Sequence, residues 1–323
     1  MKKIAYIFLT TLVPIIGYGQ TEKVLVPSDL KQLTVVTEPS TLYKGFLRAG
    51  FDLSYGVIDK YFDTKGKRVF MPSNGWGTSS SLSPSLQYGI TNRFQVIVTI
   101  PYVNDLQQGQ YILYAPSADT TVNGSISVKG KGIGDLNTAF KYQIIPEGAS
   151  KSSLTARVYL TIPTGEKNPT DIKGPYNFKS PTGNGCFSTE LNLTYRKIIY
   201  PYSYTGYIGY DYSFSGSKIL DPSDTKETEF NYGDRFNAGA SFNLHLNEWI
   251  ALTNDLNFTH WGKTKIDNEI PDNALSKWVI GYETHLVFQI KRFRVAEAVL
   301  IRLAGKNEAP ADPQYIMIVQ YTF

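Results

Sequence analysis

The sequence predicts an all-β fold, a transmembrane antiparallel up-and-down β-barrel of about twelve strands, and three observations carry that prediction. First, the chain is rich in strand formers and poor in charge: among 323 residues 14% are aromatic, 23 are Tyr and 27 are Gly, while only 19% are charged. Second, apolar and polar residues alternate over stretches of roughly ten residues, the length a tilted strand needs to cross a bilayer. Third, short and long breaks alternate strictly between those stretches. Tight turns at one membrane face and extended loops at the other produce that rhythm.

The first strand places Leu47, Ala49, Phe51, Leu53, Tyr55 and Val57 on one face and Arg48, Gly50, Asp52, Ser54 and Gly56 on the other. The pattern returns at Leu82–Ile90 and at Phe94–Tyr102, two runs joined through Thr91-Asn92-Arg93 as a hairpin. Leu136–Ile144 and Leu154–Ile162 make a second pair across the break at 146–151. Further strands are expected at Phe187–Tyr195, Tyr202–Phe214 and Phe236–Leu246, and the last four start at Ile250, Trp278, Phe293 and Tyr315. Long loops are expected over Asp59–Gly77, Val103–Lys131, Gly165–Gly185, Ser215–Asn231, Gly262–Ser276 and Gly305–Pro313. Pro84 and Gly206 are the places where a kink in the wall would sit. Glu297 breaks the outward pattern of its strand, which points to a bulge or a rim position.

A soluble barrel would also alternate, but its polar face would carry dense charge. Here that face is built largely of small neutral side chains, as in Ser188, Asn192 and Thr194 or Asn237, Gly239, Ser241 and Asn243. Such residues suit a confined, hydrated lumen. The apolar face carries rings near strand ends, at Tyr55, Tyr88, Tyr102, Tyr142, Tyr195, Phe214, Trp278 and Tyr321, as an aromatic girdle does. Closure satisfies every backbone donor and acceptor that lipid would leave unpaired. The outer membrane of a Gram-negative bacterium, with its lipid bilayer, is the expected location.

The N-terminus supports export. Lys2 and Lys3 precede an apolar run from Ile4 to Ile16 and the small-residue stretch Gly17-Tyr18-Gly19, so residues 1–19 read as a signal peptide cut before Gln20. Residues 20–42 lack alternation and read as a periplasmic leader, with a lumen-tucked segment as the alternative; residues 43–323 form the barrel. The formal net charge of +4 includes the two signal lysines, so the exported chain is close to neutral and no nucleic-acid partner is suggested. The single Cys186 cannot form an internal disulfide. The chain closes on an alternating strand whose Tyr321 and terminal Phe323 look like the signal read by the outer-membrane barrel assembly machinery.

Three stretches, SLSPSLQYGITNRFQVIVTIPY (81–102), GKGIGDLNTAFKYQII (130–145) and LTIPTGEK (160–167), together resemble the MetA-pathway of phenol degradation family of outer-membrane proteins. The elements concerned are Tyr88-Gly89, Pro101-Tyr102, Gly132-Ile133-Gly134-Asp135 and Pro163-Thr164-Gly165. The resemblance covers roughly the middle quarter of the chain. It implies an outer-membrane channel for small hydrophobic or aromatic compounds.

Chemistry has little support. Gly132-Ile133-Gly134-Asp135 could suggest a phosphate-binding turn, but a strand follows it where a helix N-terminus would be needed. His245, His260 and His285 lie far apart without metal-ligand spacing, and His245 and His285 are expected in the lumen. No Gly-x-Ser-x-Gly elbow accompanies His260, the one histidine expected on the outer face, so no enzyme, cofactor or metal is anticipated. The candidate functional set is the charged lumen: Arg48, Asp52, Lys141, Arg157, Glu190, Asp211, Asp255, Glu283 and Arg302. Mixed signs imply weak ion selectivity at most, and a ladder of salt bridges that stiffens a narrow barrel is an equal reading. The expected function is passive passage of a small-molecule solute through a monomeric barrel. The alternatives are a non-conducting structural or adhesive barrel acting through its outer loops, and a lateral route for apolar molecules.

Overall fold

The structure is a computed structural model, which describes residues 40–72, 75–115, 120–146, 152–168, 170–171, 177–219, 226–272 and 274–323. The expected signal segment and residues 20–39 lie outside the described residues. In chain order the strands are β1 (Leu47–Ile58), β2 (Lys60–Phe62), β3 (Arg68–Phe70), β4 (Trp76–Gly89), β5 (Phe94–Thr99), β6 (Tyr102–Ala115) and β7 (Thr120–Ile133). They continue as β8 (Leu136–Ile145), β9 (Ser152–Ile162), β10 (Thr170–Asp171), β11 (Asn177–Lys179), β12 (Ser188–Ile199), β13 (Tyr202–Ser213) and β14 (Gly216–Lys218). The last are β15 (Thr228–Asn231), β16 (Arg235–His245), β17 (Ile250–Trp261), β18 (Lys265–Ile266), β19 (Lys277–Ile290), β20 (Phe293–Lys306) and β21 (Gln314–Thr322).

Twelve of these form the wall, in the order β1-β4-β5-β8-β9-β12-β13-β16-β17-β19-β20-β21, and β21 pairs back onto β1. The barrel is closed and antiparallel, so no strand edge faces lipid. Its tilt can be read from the pairings. The path Arg48, Gln87, Ile97, Ala139, Tyr159, Glu190, Asp211, Arg235, Trp261, Lys277 starts near the periplasmic end of β1 and finishes at the outermost residue of β19. Hydrogen-bonded rows therefore climb steeply around the wall, as strands inclined by about 40° require.

The two faces obey different solvents. Outward side chains stay open, with Leu86 55% and Leu256 52% exposed, in a continuous apolar band that only lipid can solvate. Tyr55, Trp278 and Tyr315 mark its outer edge and Tyr88, Tyr195 and Tyr321 its periplasmic edge. Inward residues are small or polar and close-packed, among them Ala139, Ser153, Thr155, Asn192, Ser203 and Gln289. The protein is thus an outer-membrane β-barrel.

Several expectations need correction. The loop expected at Val103–Lys131 is instead mostly strand: β6 and β7 pair from Tyr102↔Ile133 to Ala115↔Thr120, and the hairpin rises beyond the wall. β4 bonds β5 over Ser85–Gly89 but β6 over Trp76–Leu82, so the chain passes through the wall row at Ile100-Pro101 without leaving β4. Neither Pro84 nor Gly206 interrupts a register; the irregularities fall at Gln143/Ile145 and Ile280/Gly281. Pro84 falls between the β5 and β6 pairings of β4, where a ladder donor is not required, and its carbonyl accepts the Ile100 N–H (3.1 Å). Glu297 sits neither in a bulge nor at a rim. It follows the regular alternation of β20 and faces outward.

The last residues of the expected leader lie against the inner wall. Ser40 Oγ and Ser153 Oγ are 2.8 Å apart, Thr41 Oγ1 donates to Gln143 Oε1 (3.4 Å), and the Leu42 N–H donates to Gln95 Oε1 (2.9 Å). Thr41, Leu42 and Phe46 are all but fully buried. Gly89 permits this approach, because a Cβ there would stand 2.1 Å from the Tyr43 carbonyl. That is the physical content of the Tyr88-Gly89 motif.

Candidate functional site in the barrel lumen

Neighbouring strands bring four of the charged lumen residues and Arg235 into one cluster. Lys141 on β8 stands opposite Arg157 on β9, and Glu190, Asp211 and Arg235 on β12, β13 and β16 share one row. Glu190 is nearly buried and bridges two cations: Oε2 lies 3.1 Å from Arg235 Nη2 and Oε1 3.6 Å from Arg157 Nη2. Arg235 Nη2 is also 3.0 Å from Asp211 Oδ2. Both guanidinium groups remain more than a third exposed, so water screens these pairs and each contributes about 1 kcal/mol at most. They stiffen the wall and present cationic faces to the lumen.

A second cluster lies on β17 and β19, where His285 Nε2 is 3.0 Å from Asp255 Oδ2 and 3.3 Å from Glu283 Oε1. Among the described residues no group of His, Cys, Asp and Glu has metal-site geometry. Arg302 holds its place through its N–H, which donates to Asp312 Oδ1 (3.2 Å), and Asp312 also pairs with Arg68 from the β3 hairpin. Arg48 Nε donates to Thr322 Oγ1 (2.9 Å) beside the seam between β1 and β21. Asp52 lies on that seam, in register with Ser83 and Ile318.

Three cavities follow one another through the lumen. The periplasmic one, about 260 Å³, is lined by Leu42, Arg48, Gln95, Lys141, Arg294 and Gln320. The middle one, about 440 Å³, shares Lys141 with it and adds Arg157, Glu190, Tyr207 and Arg235. The outer one, about 330 Å³, shares Arg235 with the middle one and adds Tyr232, Trp261 and Lys277. Neighbouring cavities share a lining residue, and together their linings draw on strands around the whole barrel, from β8 and β9 to β20 and β21. Arg294, Lys141, Arg157, Arg235 and Lys277 succeed one another from cavity to cavity. At the outer end burial pushes the Tyr232 phenol up to about 12, so it stays neutral at physiological pH, and Lys218 Nζ sits 4.6 Å from its ring centre.

The wall on β17 and β19–β21 also carries an aliphatic patch. β9 and β12 stand six places around the ring of twelve from β20 and β21. Carrying the Arg157 row to β20 arrives at Gly305, and descending by the tilt, about eight residues, returns to the level of Ala296 and Ala298. There Ala251, Val287 and Ala296 pack as a buried cluster against Ile318. Arg157 therefore faces this aliphatic patch across the lumen, while Arg294, His285 and Glu283 stand on the same strands as the patch.

The Gly-x-Gly-Asp and Pro-Thr-Gly motifs build a clasp where the β6–β7 hairpin leaves the wall. The Gly134 N–H donates to the Pro101 carbonyl (2.7 Å), and Thr164 Oγ1 accepts the Leu136 N–H (2.9 Å). Asp135, nearly buried, accepts the N–H groups of Gly165 (3.0 Å) and Asn184 (2.7 Å). A Cβ on Gly183 would come within 2.4 Å of Asp135 Oδ1, so only glycine fits there. The motif closes the wall instead of binding phosphate.

Of the sequence candidates, Lys141, Arg157, Glu190 and Asp211 meet in the first cluster, Asp255 and Glu283 in the second with Arg302 beside Glu283 on the next strand, and Arg48 and Asp52 stand apart from both. Tyr321 and Phe323 are half-exposed on the outer face at the closing seam, with ring centres 4.9 Å apart. Arg235, His285 and Tyr207 were missed as site residues. Arg235 shares the parity of Asn237 and Gly239 but sits beside the Gly233-Asp234 break, where the strand seemed to start one residue later. Tyr207 hides behind the Gly206 interruption; its ring fits because Gly239 opposite has no side chain, and a Cβ there would lie 2.6 Å from the ring.

No family model matches the chain. Among solved structures it is similar to the COG4313 outer membrane channel from Pseudomonas putida F1, with a TM-score of 0.66 over 92% of this chain and 98% of that one at 16% identity. That likeness establishes a shared fold. The CymD monoaromatic hydrocarbon channel (TM-score 0.44, 8% identity, 87% of this chain and 88% of that one) is a more distant match. So is a mutant of the TodX monoaromatic hydrocarbon channel (TM-score 0.41, 9% identity, 89% and 92%). Neither carries an argument at that score.

Proposed function

We propose that this protein is an outer-membrane channel for small solutes, and that the solutes it favours carry one anionic group on an apolar, for instance aromatic, body. The observation that carries the reading is the series of three cavities that share Lys141 and Arg235, lined by a succession of cations and bordered by an aliphatic patch at Ala296 and Ile318. A carboxylate or sulfonate can pass from one guanidinium or ammonium group to the next, while its apolar body slides along the aliphatic wall. Several weak sites in sequence suit conduction better than one tight site, because the solute must also leave. The fold shared with an outer membrane channel and the motif resemblance to the phenol-degradation family support passage of small, aromatic solutes. In this reading residues 1–19 direct export, and Tyr321 and Phe323 serve the assembly machinery.

Swelling of proteoliposomes tests it, using benzenesulfonate, arabinose and phenyltrimethylammonium as membrane-impermeant solutes of similar size. The account predicts entry in that order, anion first. Equal rates would remove the charge preference, and no swelling with any of the three would favour the non-conducting structural barrel.

A further inference from the structure

The lipid-facing wall carries a polar strip that a barrier in hydrocarbon has no use for. Glu297 faces outward from the middle of β20, between Tyr315 toward the outer edge and Phe293 toward the periplasmic edge of the apolar band. Its cross-strand neighbours are Leu286 and Met317, and among the described residues nothing pairs with its carboxylate. An ionisable side chain at that depth is disfavoured unless it meets a partner, which marks it as functional by default.

Two further polar residues lie at the same level. The row through Glu297 runs by way of Leu286 to Leu252 on β17, and it descends in that direction. Moving two residues up each strand, to Thr284 and Asn254, compensates the descent. Asn254, Thr284 and Glu297 therefore share about one membrane depth, with Asn254 and Glu297 about 12 Å apart, two strand spacings across and two residues along. Asn254 Oδ1 already accepts from Tyr282 OH (2.6 Å) and Thr284 Oγ1 (3.4 Å), which turns its amide N–H groups outward, and they have no acceptor among the described residues. A pure acceptor thus stands on one side of the strip and a free donor on the other. Beside them the wall has a recess of about 640 Å³ bordered by Leu53, Leu252, Leu286 and Met317.

We propose that this strip is a docking surface for a second copy of the chain, related by a two-fold axis along the membrane normal that passes near Leu286. Such an axis exchanges the two ends of the strip at constant depth. Glu297 of each copy then accepts from the Asn254 amide of the other, twice over, as an isologous interface demands. Each carboxylate gains one amide donor, and apolar side chains flanking it fill the recess. A parallel arrangement of donors or of acceptors alone could not pair with itself in this way.

Cross-linking in native outer membranes tests the proposal. Leu286→Cys is introduced with Cys186→Ser, cells are treated with an oxidant, and the full-length protein is examined on non-reducing gels; light scattering of the purified protein in lipid nanodiscs gives the mass without any cysteine. The expected result is a disulfide-linked dimer and a doubled mass. Both disappear with Glu297→Leu or Asn254→Leu and persist with Glu297→Gln, which still accepts a hydrogen bond. Heat-modifiable gel mobility confirms that each variant remains a folded barrel. A monomeric wild type in both assays, as when a lipid chain fills the recess, or a dimer that survives Glu297→Leu, would overturn the proposal.

Discussion

Replacing Glu190 by Gln isolates the charge logic of the lumen, because the amide keeps the shape of the side chain and removes one unit of negative charge from between Arg157 and Arg235. A permeating ion about 5 Å from that position feels the change as roughly 1 kcal/mol at the dielectric of water and about 3 kcal/mol at an effective dielectric of 20. Mobile counterions screen it toward the lower figure. Because an anion gains and a cation loses about 1 kcal/mol each, the anion-to-cation permeability ratio should rise by roughly thirtyfold. Fold stability should fall by about 1 kcal/mol or less, since both arginines keep more than a third of their side chains in solvent and Arg235 retains Asp211. The assay is the reversal potential across a planar bilayer under a KCl gradient, with wild type and variant measured in parallel. A ratio that stays constant, or that moves toward cations, would refute the assignment of this cluster to the conducting path.

Two other consequences concern the outer end. Asp135→Ala leaves the N–H groups of Gly165 and Asn184 without an acceptor, so the denaturant-measured stability of the refolded barrel should drop by about 2–4 kcal/mol, whereas a change below about 0.5 kcal/mol would show the clasp to be dispensable. In the loop sheet of β14, β15 and β18, hydrogen bonds from Lys167, Ser217 and Asn168 lower the Glu227 pKa from 4.5 to about 2. A depressed carboxylate stabilises its surroundings above the unfolded value and loses that contribution as pH falls through the folded one. The protection factor of the Ile219 amide, whose N–H donates to Asn168, should accordingly hold at pH 5 and fall only as pH drops from about 4.5 toward 2. A protection factor that falls equally with Glu227→Gln would contradict the link.

Most of the wall was legible because alternation is a local property, and a strand such as β1 shows both of its solvents within twelve residues. Which face is wet, where chain direction reverses and that the count is even all follow from that pattern and the loop rhythm. What lay hidden depends on distant partners. The β6–β7 hairpin breaks the apolar–polar alternation over Asn104-Asp105-Leu106-Gln107-Gln108-Gly109-Gln110, so its sequence reads as loop. Ser40 to Leu42 have no pattern of their own, since their bonds are made to Gln95, Gln143 and Ser153 across the lumen. Arg235 and Tyr207 were lost at a strand start and beside a glycine, where parity is easiest to slip. Glu297 was seen as an anomaly, but its level with Asn254 emerges only from the tilt.

The central claim is an open, anion-favouring lumen, and single-channel recording of the purified full-length protein in planar bilayers tests it most directly. The account predicts discrete, steady conductance steps with a reversal potential displaced toward that of chloride. Silence from folded protein inserted in the bilayer, or steps with cation preference, would contradict it.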